Sequence, residues 1–239
     1  MTINAVVFDL DGTLVKFKLD YKALRAEAIQ HLTQEGFPAS IFSLNESIFE
    51  TLKKAKIYMK NNGEKEQGFS RVKKAIYRIA ERYELQAARD TEPQPGVNET
   101  LKTLKKMKLK LGLFTINSDQ ATSYLLQQIR LKKYFDAVVS RDSVEMVKPD
   151  PQHLALVLQT LNVRPKGALV VGDSVIDMKS AEELKAIGVG IPTGISTPEA
   201  LVQAGATYLI TSLTDLPTLI HQFNKETKTH HKPRMREKF

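Results

Sequence analysis

Short apolar runs alternate with longer amphipathic segments along most of the chain. Five runs have the length and composition of buried strands: residues 5–10, 109–115, 135–140, 168–172 and 188–191. A sixth, shorter run at residues 208–210 is a further candidate. Helix-like segments with one apolar face separate the later runs. This alternation predicts an α/β fold in which a parallel sheet carries helices on both faces.

One interval, between residues 15 and 95, breaks the alternation and contains no run that predicts a strand. It holds instead three sets of apolar residues spaced by three and four positions, and this spacing places each set on one face of a helix. The sets are Tyr21, Leu24, Ala28 and Leu32; Ile48, Leu52, Ala55 and Met59; and Phe69, Val72, Ile76, Ile79 and Tyr83. Asp20 is a candidate N-cap for the first helix. We therefore predict an all-helical module at residues 16–94, inserted into a core of residues 1–15 and 95–224.

Composition narrows the classes of protein to which this chain can belong. Its 239 residues are 42% hydrophobic, which is enough for a folded core. Cysteine is absent from the sequence, so the chain cannot form disulfides, thiolate metal sites or a cysteine nucleophile. No stretch approaches the roughly 18 apolar residues of a membrane span, and the first ten residues lack the basic start of a signal peptide. We therefore predict a cytoplasmic protein without a membrane partner.

Charge is concentrated at the end of the chain. Residues 225–239 hold six Lys or Arg residues and two Glu residues, which is +4 of the formal net charge of +8. We predict that this segment is a basic, disordered tail. The alternative is an electrostatic contact with nucleic acid or an acidic partner. No nucleic-acid-binding motif accompanies the tail, so nucleic acid is not a predicted partner, and the sequence leaves the oligomeric state open.

The first motif with chemical potential follows the first predicted strand. Asp9 and Asp11 lie two residues apart, and Gly12 allows the chain to turn sharply after them. In open parallel sheets, ligands bind beyond the carboxyl ends of the strands, so both acids can converge on one site. Taken alone, the same residues could form no more than an Asx turn. The interpretation as a site depends on the motifs that follow in order.

Three further motifs place polar residues at or near the ends of later strands. Thr115 ends the second strand, and its hydroxyl can donate to a phosphoryl oxygen, although Thr is also common there as a cap. Lys148 precedes Pro149, which restrains the backbone before it. Asp173 follows the fourth strand, where an acid has little structural use, and Asp177 lies one helical turn later. Asp177 could equally be a charge that complements the start of a helix.

The four motifs in this order and spacing resemble those of the haloacid dehalogenase (HAD) superfamily of phosphotransferases. The similarity covers residues 3–15 and about 95–215, and the helical module lies where that superfamily carries its C1-type cap. Residues 190–194 and 199–206 are similar to the phosphoglycolate phosphatase branch. The resemblance implies a Rossmann-like parallel sheet core with an inserted all-helical cap. We call residues 16–94 the cap from here on.

The resemblance also implies roles for individual residues. Asp9 would be the nucleophile that forms an aspartyl phosphate, and Asp11 would protonate the leaving alcohol and then activate water. Thr115 and Lys148 would stabilise the charge on the transferred phosphoryl group. Mg²⁺ would be the cofactor, held by Asp9, by the main-chain carbonyl of Asp11 and by Asp173. Asp177 would orient a water molecule or Lys148 from outside the ligand set.

These roles predict a Mg²⁺-dependent phosphatase that acts on a small phosphorylated metabolite, either phosphoglycolate-like or a sugar phosphate. A phosphomutase with the same aspartyl phosphate and a non-catalytic HAD-fold binding protein are the alternatives. The clustered acids argue against the second alternative, because carboxylates that repel one another are a stability cost without a metal. Motif two reads Thr-Ile-Asn where many relatives have Thr-Asn, which leaves Thr115 intact and puts the role of Asn117 in doubt.

Overall fold

A computed structural model of the protein describes residues 2–229. Its centre is a sheet of six parallel strands in the order β3-β2-β1-β4-β5-β6. The strands are β1 (Ala5–Phe8), β2 (Lys110–Phe114), β3 (Ala137–Val139), β4 (Ala168–Gly172), β5 (Ile187–Gly190) and β6 (Tyr208–Leu209). All six predicted strands are present, and the predicted α/β class is confirmed.

Helices cover both faces of this sheet. The described residues contain α1 (Tyr21–Gln34), α2 (Ile48–Asn61), α3 (Glu66–Asp90), α4 (Val97–Lys106), α5 (Asp119–Gln128), α6 (Pro151–Leu161), α7 (Val175–Glu183), α8 (Pro198–Gln203) and α9 (Leu216–Thr229). Alternate residues of β1 point to opposite faces, as strand geometry requires. Val6 and Phe8 pack in a cluster with residues of α4, α5 and α9, whereas Ala5 and Val7 pack in a second cluster with residues of α6 and α7.

The cap consists of α1, α2 and α3, which enclose an apolar cluster of their own. Asp20 caps α1 as predicted, since its carboxylate accepts a hydrogen bond from the backbone N–H of Ala23 at 3.0 Å. The two segments that join the cap to the core run side by side, because Val15 pairs with Pro93 in an antiparallel bridge. The division of the chain into core and cap at residues 15 and 95 stays a prediction.

The buried face of α3 differs from the predicted stripe. Its fully buried residues are Val72, Ile76, Ala80, Glu84 and Ala88, whereas Ile79 and Tyr83 are only partly buried. The difference arises because this 25-residue helix also packs along α5 of the core, while Tyr83 in its second half still donates to Glu27 of α1 at 2.9 Å. Glu84 was not expected on a buried face because it is charged.

The last helix continues past the predicted start of the tail. Residues 225–229 belong to α9, whose earlier residues Leu216 and Ile220 are buried and whose Phe223 contacts Tyr208 edge-on at 5.0 Å. The remainder of the predicted tail, residues 230–239, lies outside the described residues. Within residues 2–229, no helix combines the length and apolar character needed to cross a bilayer. The cytoplasmic location stays a prediction.

Candidate active site

The four predicted motifs meet at the carboxyl edge of the sheet. Asp9, Thr115 and Asp173 each follow one of three neighbouring strands, β1, β2 and β4. Parallel strands end at the same edge, so side chains that follow them lie close together. Lys148 comes from the loop between β3 and α6 and reaches the same point. The structure therefore brings these residues together at one point, and their chemical roles stay predictions.

Lys148 is the centre of the charge network. Its Nζ donates to Asp9 Oδ1 at 2.5 Å, to Asp177 Oδ1 at 2.7 Å and to the backbone oxygen of Phe114 at 3.3 Å. Burial alone would lower the pKa of Lys148, but the carboxylates of Asp177 and Asp9 outweigh burial and raise this pKa above its usual value. None of the described residues donates a hydrogen bond to Asp9 Oδ2, so this oxygen is available to a substrate or a cation.

Asp177 and Asp173 differ in how far their oxygens are already used. The Oδ2 atom of Asp177 accepts from both the backbone N–H and the hydroxyl of Ser174, at 3.1 and 2.5 Å, while its Oδ1 accepts from Lys148. Asp173 accepts one hydrogen bond at each oxygen, from the Thr13 hydroxyl at 3.2 Å and from the backbone N–H of Ile195 at 3.0 Å. Asp177 is thus tied to Lys148 and the start of α7, and its place outside the ligand set stays a prediction.

The acidic cluster suits a divalent cation. Asp9, Asp173 and Asp177 are buried, and one oxygen of each lies within 4.8 Å of the others. Burial raises the pKa of Asp9 well above its usual value despite the nearby Lys148, and burial together with Asp177 raises the pKa of Asp173 to about 6. A bound cation would relieve this repulsion, and carboxylate oxygens are the ligands that Mg²⁺ prefers.

Two glycines allow the backbone to approach Asp173 closely. A Cβ atom on Gly194 would lie 1.8 Å from Asp173 Oδ2, and a Cβ atom on Gly12 would lie 2.6 Å from the same oxygen. Gly12 also has a φ of +84°, which side chains rarely adopt. Both glycines are therefore needed to leave room around this carboxylate.

Asp11 is held in place by Asn117. The Nδ2 atom of Asn117 donates to Asp11 Oδ2 at 2.6 Å. Burial and the charge of Asp9 raise the pKa of Asp11 to about 7, and the hydrogen bond from Asn117 opposes this rise. Asn117 therefore reaches the site and contacts Asp11 although one residue is inserted between it and Thr115.

Thr115 is buried beside the site but does not line its cavity. Its hydroxyl oxygen accepts a hydrogen bond from the backbone N–H of Asn117 at 3.2 Å, which leaves the hydroxyl proton free to be donated. The cavity has a volume of about 310 Å³ and is lined at its base by Asp9, Asp11, Lys148 and Asp173.

Several cavity residues had no predicted role. The cap contributes Phe17, Leu19, Tyr21 and Arg25, and the core adds Ile116, Ile176 and Ile195. Arg25 is fixed by a hydrogen bond from its Nη1 to the backbone oxygen of Leu44 at 3.2 Å and by the Tyr21 ring, 4.6 Å away. Arg25 lies four residues after Tyr21, and this spacing in the sequence already places the two side chains on one helix face.

A larger cavity of about 420 Å³ lies elsewhere, between the turn after β3 and α6. Its lining residues include two acids, Asp142 and Glu145, and no cationic side chain. An anionic substrate would be repelled there, so this cavity is not a candidate active site.

The chain matches the family model of haloacid dehalogenase-like hydrolases over residues 6–190. It belongs to this family. The match spans the acids after β1, the cap and the loop that carries Asp173, which is the arrangement that the sequence motifs predicted. The predicted resemblance is therefore confirmed.

Known proteins similar to this HAD-like chain include two phosphatases. A phosphoglycolate phosphatase from Nitrosospira multiformis is 29% identical and aligns over 93% of this chain and 97% of its own length. A phosphorylated carbohydrates phosphatase from Thermotoga maritima is 28% identical and aligns over 87% of this chain and 94% of its own length. The crystal structure of a hydrolase from Pseudomonas syringae superimposes with a TM-score of 0.66 at 25% identity, covering 92% of this chain and 98% of that one. The prediction of an enzyme of the HAD phosphatase type is confirmed by these relatives.

Proposed function

We propose that this protein is a Mg²⁺-dependent phosphatase that hydrolyses a small phosphate monoester through an aspartyl phosphate on Asp9. The observation that carries the proposal is the state of the Asp9 carboxylate at the base of the cavity. Lys148 binds its Oδ1, whereas its Oδ2 accepts no hydrogen bond from the described residues. One oxygen is thereby oriented, and the other is free to attack phosphorus.

The first chemical step joins Asp9 Oδ2 to phosphorus and breaks the bond from phosphorus to the ester oxygen. Asp11 gives its proton to that oxygen as the alcohol leaves. A pKa of about 7 suits this role, because a carboxyl group with an ordinary pKa would already be ionised near neutral pH. In the second step a water molecule loses a proton to Asp11 and attacks the aspartyl phosphate, which releases inorganic phosphate and restores Asp9.

Charge stabilisation would come from Lys148, Thr115 and the cation. Asp9, the main-chain carbonyl of Asp11 and Asp173 would hold Mg²⁺, which would neutralise charge on the phosphoryl oxygens. Asp177 would keep the Lys148 ammonium directed at the reacting centre, since it accepts a hydrogen bond from the same Nζ at 2.7 Å. The hydroxyl of Thr115 would donate to a phosphoryl oxygen.

The cavity supports a small substrate. A volume of about 310 Å³ accommodates a phosphate ester with a short carbon skeleton, and Arg25 gives the cap side of the cavity a positive charge. The similar proteins named for phosphoglycolate and for phosphorylated carbohydrates are consistent with either class of substrate for this chain.

The deciding experiment compares the wild-type protein with Asp9→Asn in a screen of phosphorylated metabolites with Mg²⁺ present, scored by release of inorganic phosphate. The amide keeps the shape of the carboxylate and removes most of its nucleophilicity, so kcat should fall by at least about 10³-fold. Trapped phosphoprotein should carry its phosphate on Asp9 when analysed by mass spectrometry.

Retention of more than about a tenth of wild-type turnover by Asp9→Asn would contradict the nucleophile assignment, provided that mass spectrometry excludes hydrolysis of the amide back to Asp. Conversion of a sugar phosphate into its isomer, with little release of inorganic phosphate, would instead support the phosphomutase alternative.

A further inference from the structure

A buried ion pair joins the cap to the core. Glu84 on α3 and Arg141, in the turn after β3, contact one another twice, with Arg141 Nη1 donating to Glu84 Oε1 at 2.5 Å and Nη2 donating to Oε2 at 3.3 Å. The side chains are 4% and 1% exposed, respectively. Arg141 also lies 4.5 Å from the centre of the Tyr77 ring. Two charges have thus been removed from water at the contact between α3 and the core.

Both members of the pair also bind the loop that follows β2. Arg141 Nη1 donates to the backbone oxygen of Ile116 at 3.0 Å, and the Arg141 backbone N–H donates to the backbone oxygen of Asn117, also at 3.0 Å. Glu84 Oε2 accepts from the backbone N–H of Ser118 at 2.8 Å. Three consecutive residues of one loop are therefore fixed by a single ion pair.

This loop carries the residue that contacts Asp11. The side chain of Asn117 donates to Asp11 Oδ2 at 2.6 Å, and Ile116 and Asn117 both line the cavity. A shift of the loop would change the direction of the Asp11 carboxyl relative to the ester oxygen. Such shifts matter, because a displacement of about 1 Å in a catalytic group can cost about 100-fold in rate.

Stability alone is a weak reason for such a pair. Replacing a buried ion pair by well-packed apolar residues is often neutral or stabilising, whereas removing one partner is strongly destabilising. The geometry gives the pair another use, because five of its hydrogen bonds link a cap helix, the turn after β3 and the loop at residues 116–118.

We propose that Glu84 and Arg141 are positioning residues, which set the loop at residues 116–118 so that Asn117 holds Asp11 in line with the leaving group. The inference rests on the proposed function, since it gives Asp11 the role of proton donor. It also implies that the second half of α3 stays attached to the core during turnover, together with α1, whose Glu27 accepts a hydrogen bond from Tyr83 at 2.9 Å.

The dependence of activity on the leaving group separates positioning from support of the fold. A p-nitrophenyl leaving group departs with little help from a proton, whereas an alkyl alcohol needs one. We would measure kcat/KM, which covers the transfer of phosphate to Asp9, for p-nitrophenyl phosphate and for the alkyl phosphate that the wild-type enzyme hydrolyses fastest. Arg141→Met should lower kcat/KM by about 100-fold for the alkyl ester and by less than about 10-fold for the aryl ester.

Asn117→Ala should give the same pattern, and combining it with Arg141→Met should cause little further loss, because both changes remove one and the same constraint on Asp11. Ile76→Ala is the matched control for destabilisation. Ile76 is buried in the same helix among cap residues only. The control should lower the melting temperature while leaving the ratio of the two kcat/KM values unchanged.

If Arg141→Met does not fold, two milder variants answer the same question. Arg141→Lys keeps the charge but lacks the guanidinium fork, and Glu84→Gln with Arg141→Gln removes both charges together. Equal losses for the two esters, or independent losses from the Arg141 and Asn117 changes, would overturn the inference. Neither result would contradict the proposed function, which is tested separately by the activity of Asp9→Asn.

Discussion

The two sides of the cavity both contribute apolar side chains, but they differ in their charged groups. On the core side, Lys148 binds Asp9 and Asp177, and Asn117 binds Asp11, so the charged groups at the sheet edge orient one another. On the cap side, the lining is aromatic and aliphatic, with Arg25 as its cation. Fixed charges stabilise the developing charge of a transition state, whereas apolar area and a single cation bind the rest of a substrate.

This contrast divides the expected effects of mutations. Changes on the core side should act mainly on kcat, because they alter groups that meet the reacting phosphoryl group. Changes on the cap side should act mainly on KM and on the choice of substrate. The Glu84–Arg141 pair is the exception, because it lies at the boundary and connects a cap helix to a core loop.

Removal of the cation should cause the largest effect. Chelation by EDTA followed by dialysis should abolish activity, because the clustered carboxylates would then repel both one another and the phosphate group. Mg²⁺ should restore activity, whereas Ca²⁺ should inhibit because its larger and looser coordination shell disturbs the in-line geometry. Full activity after exhaustive chelation would mean that the core side of the cavity works without a metal ion.

Loss of Arg25 should have a moderate effect of a different kind. Arg25→Met should raise KM for the best metabolite by about 10-fold, since a charge-assisted hydrogen bond to substrate would be lost, and it should change kcat less. Arg71→Met is the control, because Arg71 is exposed on the same cap and pairs with Glu35 at 3.5 Å away from the cavity. Equal effects of the two variants would mean that Arg25 does not contact substrate.

The sequence predicted the core side of this comparison better than the cap side. Asp9, Thr115 and Asp173 follow strands that local periodicity reveals, and topology then brings the strand ends together. Glu84 and Arg141 are 57 positions apart, and no periodicity connects them. A charged residue on a helix is ordinarily solvated, so Glu84 could not be distinguished from its exposed neighbours without knowing that α3 packs on α5.

A smaller effect concerns the stability of the core side. His153 is buried beneath Lys148, where its Nδ1 accepts from the Lys148 backbone N–H at 3.3 Å and its Nε2 lies 3.2 Å from the Val139 backbone oxygen. Burial and the charge of Lys148 lower the pKa of His153 to about 4. The unfolded chain, with an ordinary pKa of about 6.5, therefore takes up a proton first as pH falls, and the free energy of unfolding decreases.

Between pH 7.5 and pH 5 this histidine should cost the folded protein about 2 kcal/mol of stability. The His153→Gln variant, which keeps a donor and an acceptor, should lack this part of the pH dependence. Urea unfolding of both proteins at the two pH values measures the difference. Identical slopes of stability against pH for the two proteins would show that His153 does not remain neutral in the fold.

The smallest expected effect is that of removing the part of the predicted basic tail that lies outside the described residues. Truncation should follow Thr229, because α9 extends to that residue and Asn224 accepts a hydrogen bond from the Ile3 backbone N–H at 3.0 Å. Residues 230–239 hold four Lys or Arg residues and one Glu, with no apolar periodicity that would anchor them to a core.

Deleting residues 230–239 should therefore leave the melting temperature and kcat/KM for a small substrate nearly unchanged at about 0.15 M salt, where exposed charges act over roughly 8 Å. Repeating the kinetics at about 0.01 M salt sharpens the test, because the same charges then act over roughly 30 Å and can attract an anionic substrate. A loss of kcat/KM on truncation that appears only at low salt would indicate steering by the tail. A large loss at both salt concentrations would mean that the tail takes part in the site, and the cavity could no longer be described by core and cap alone.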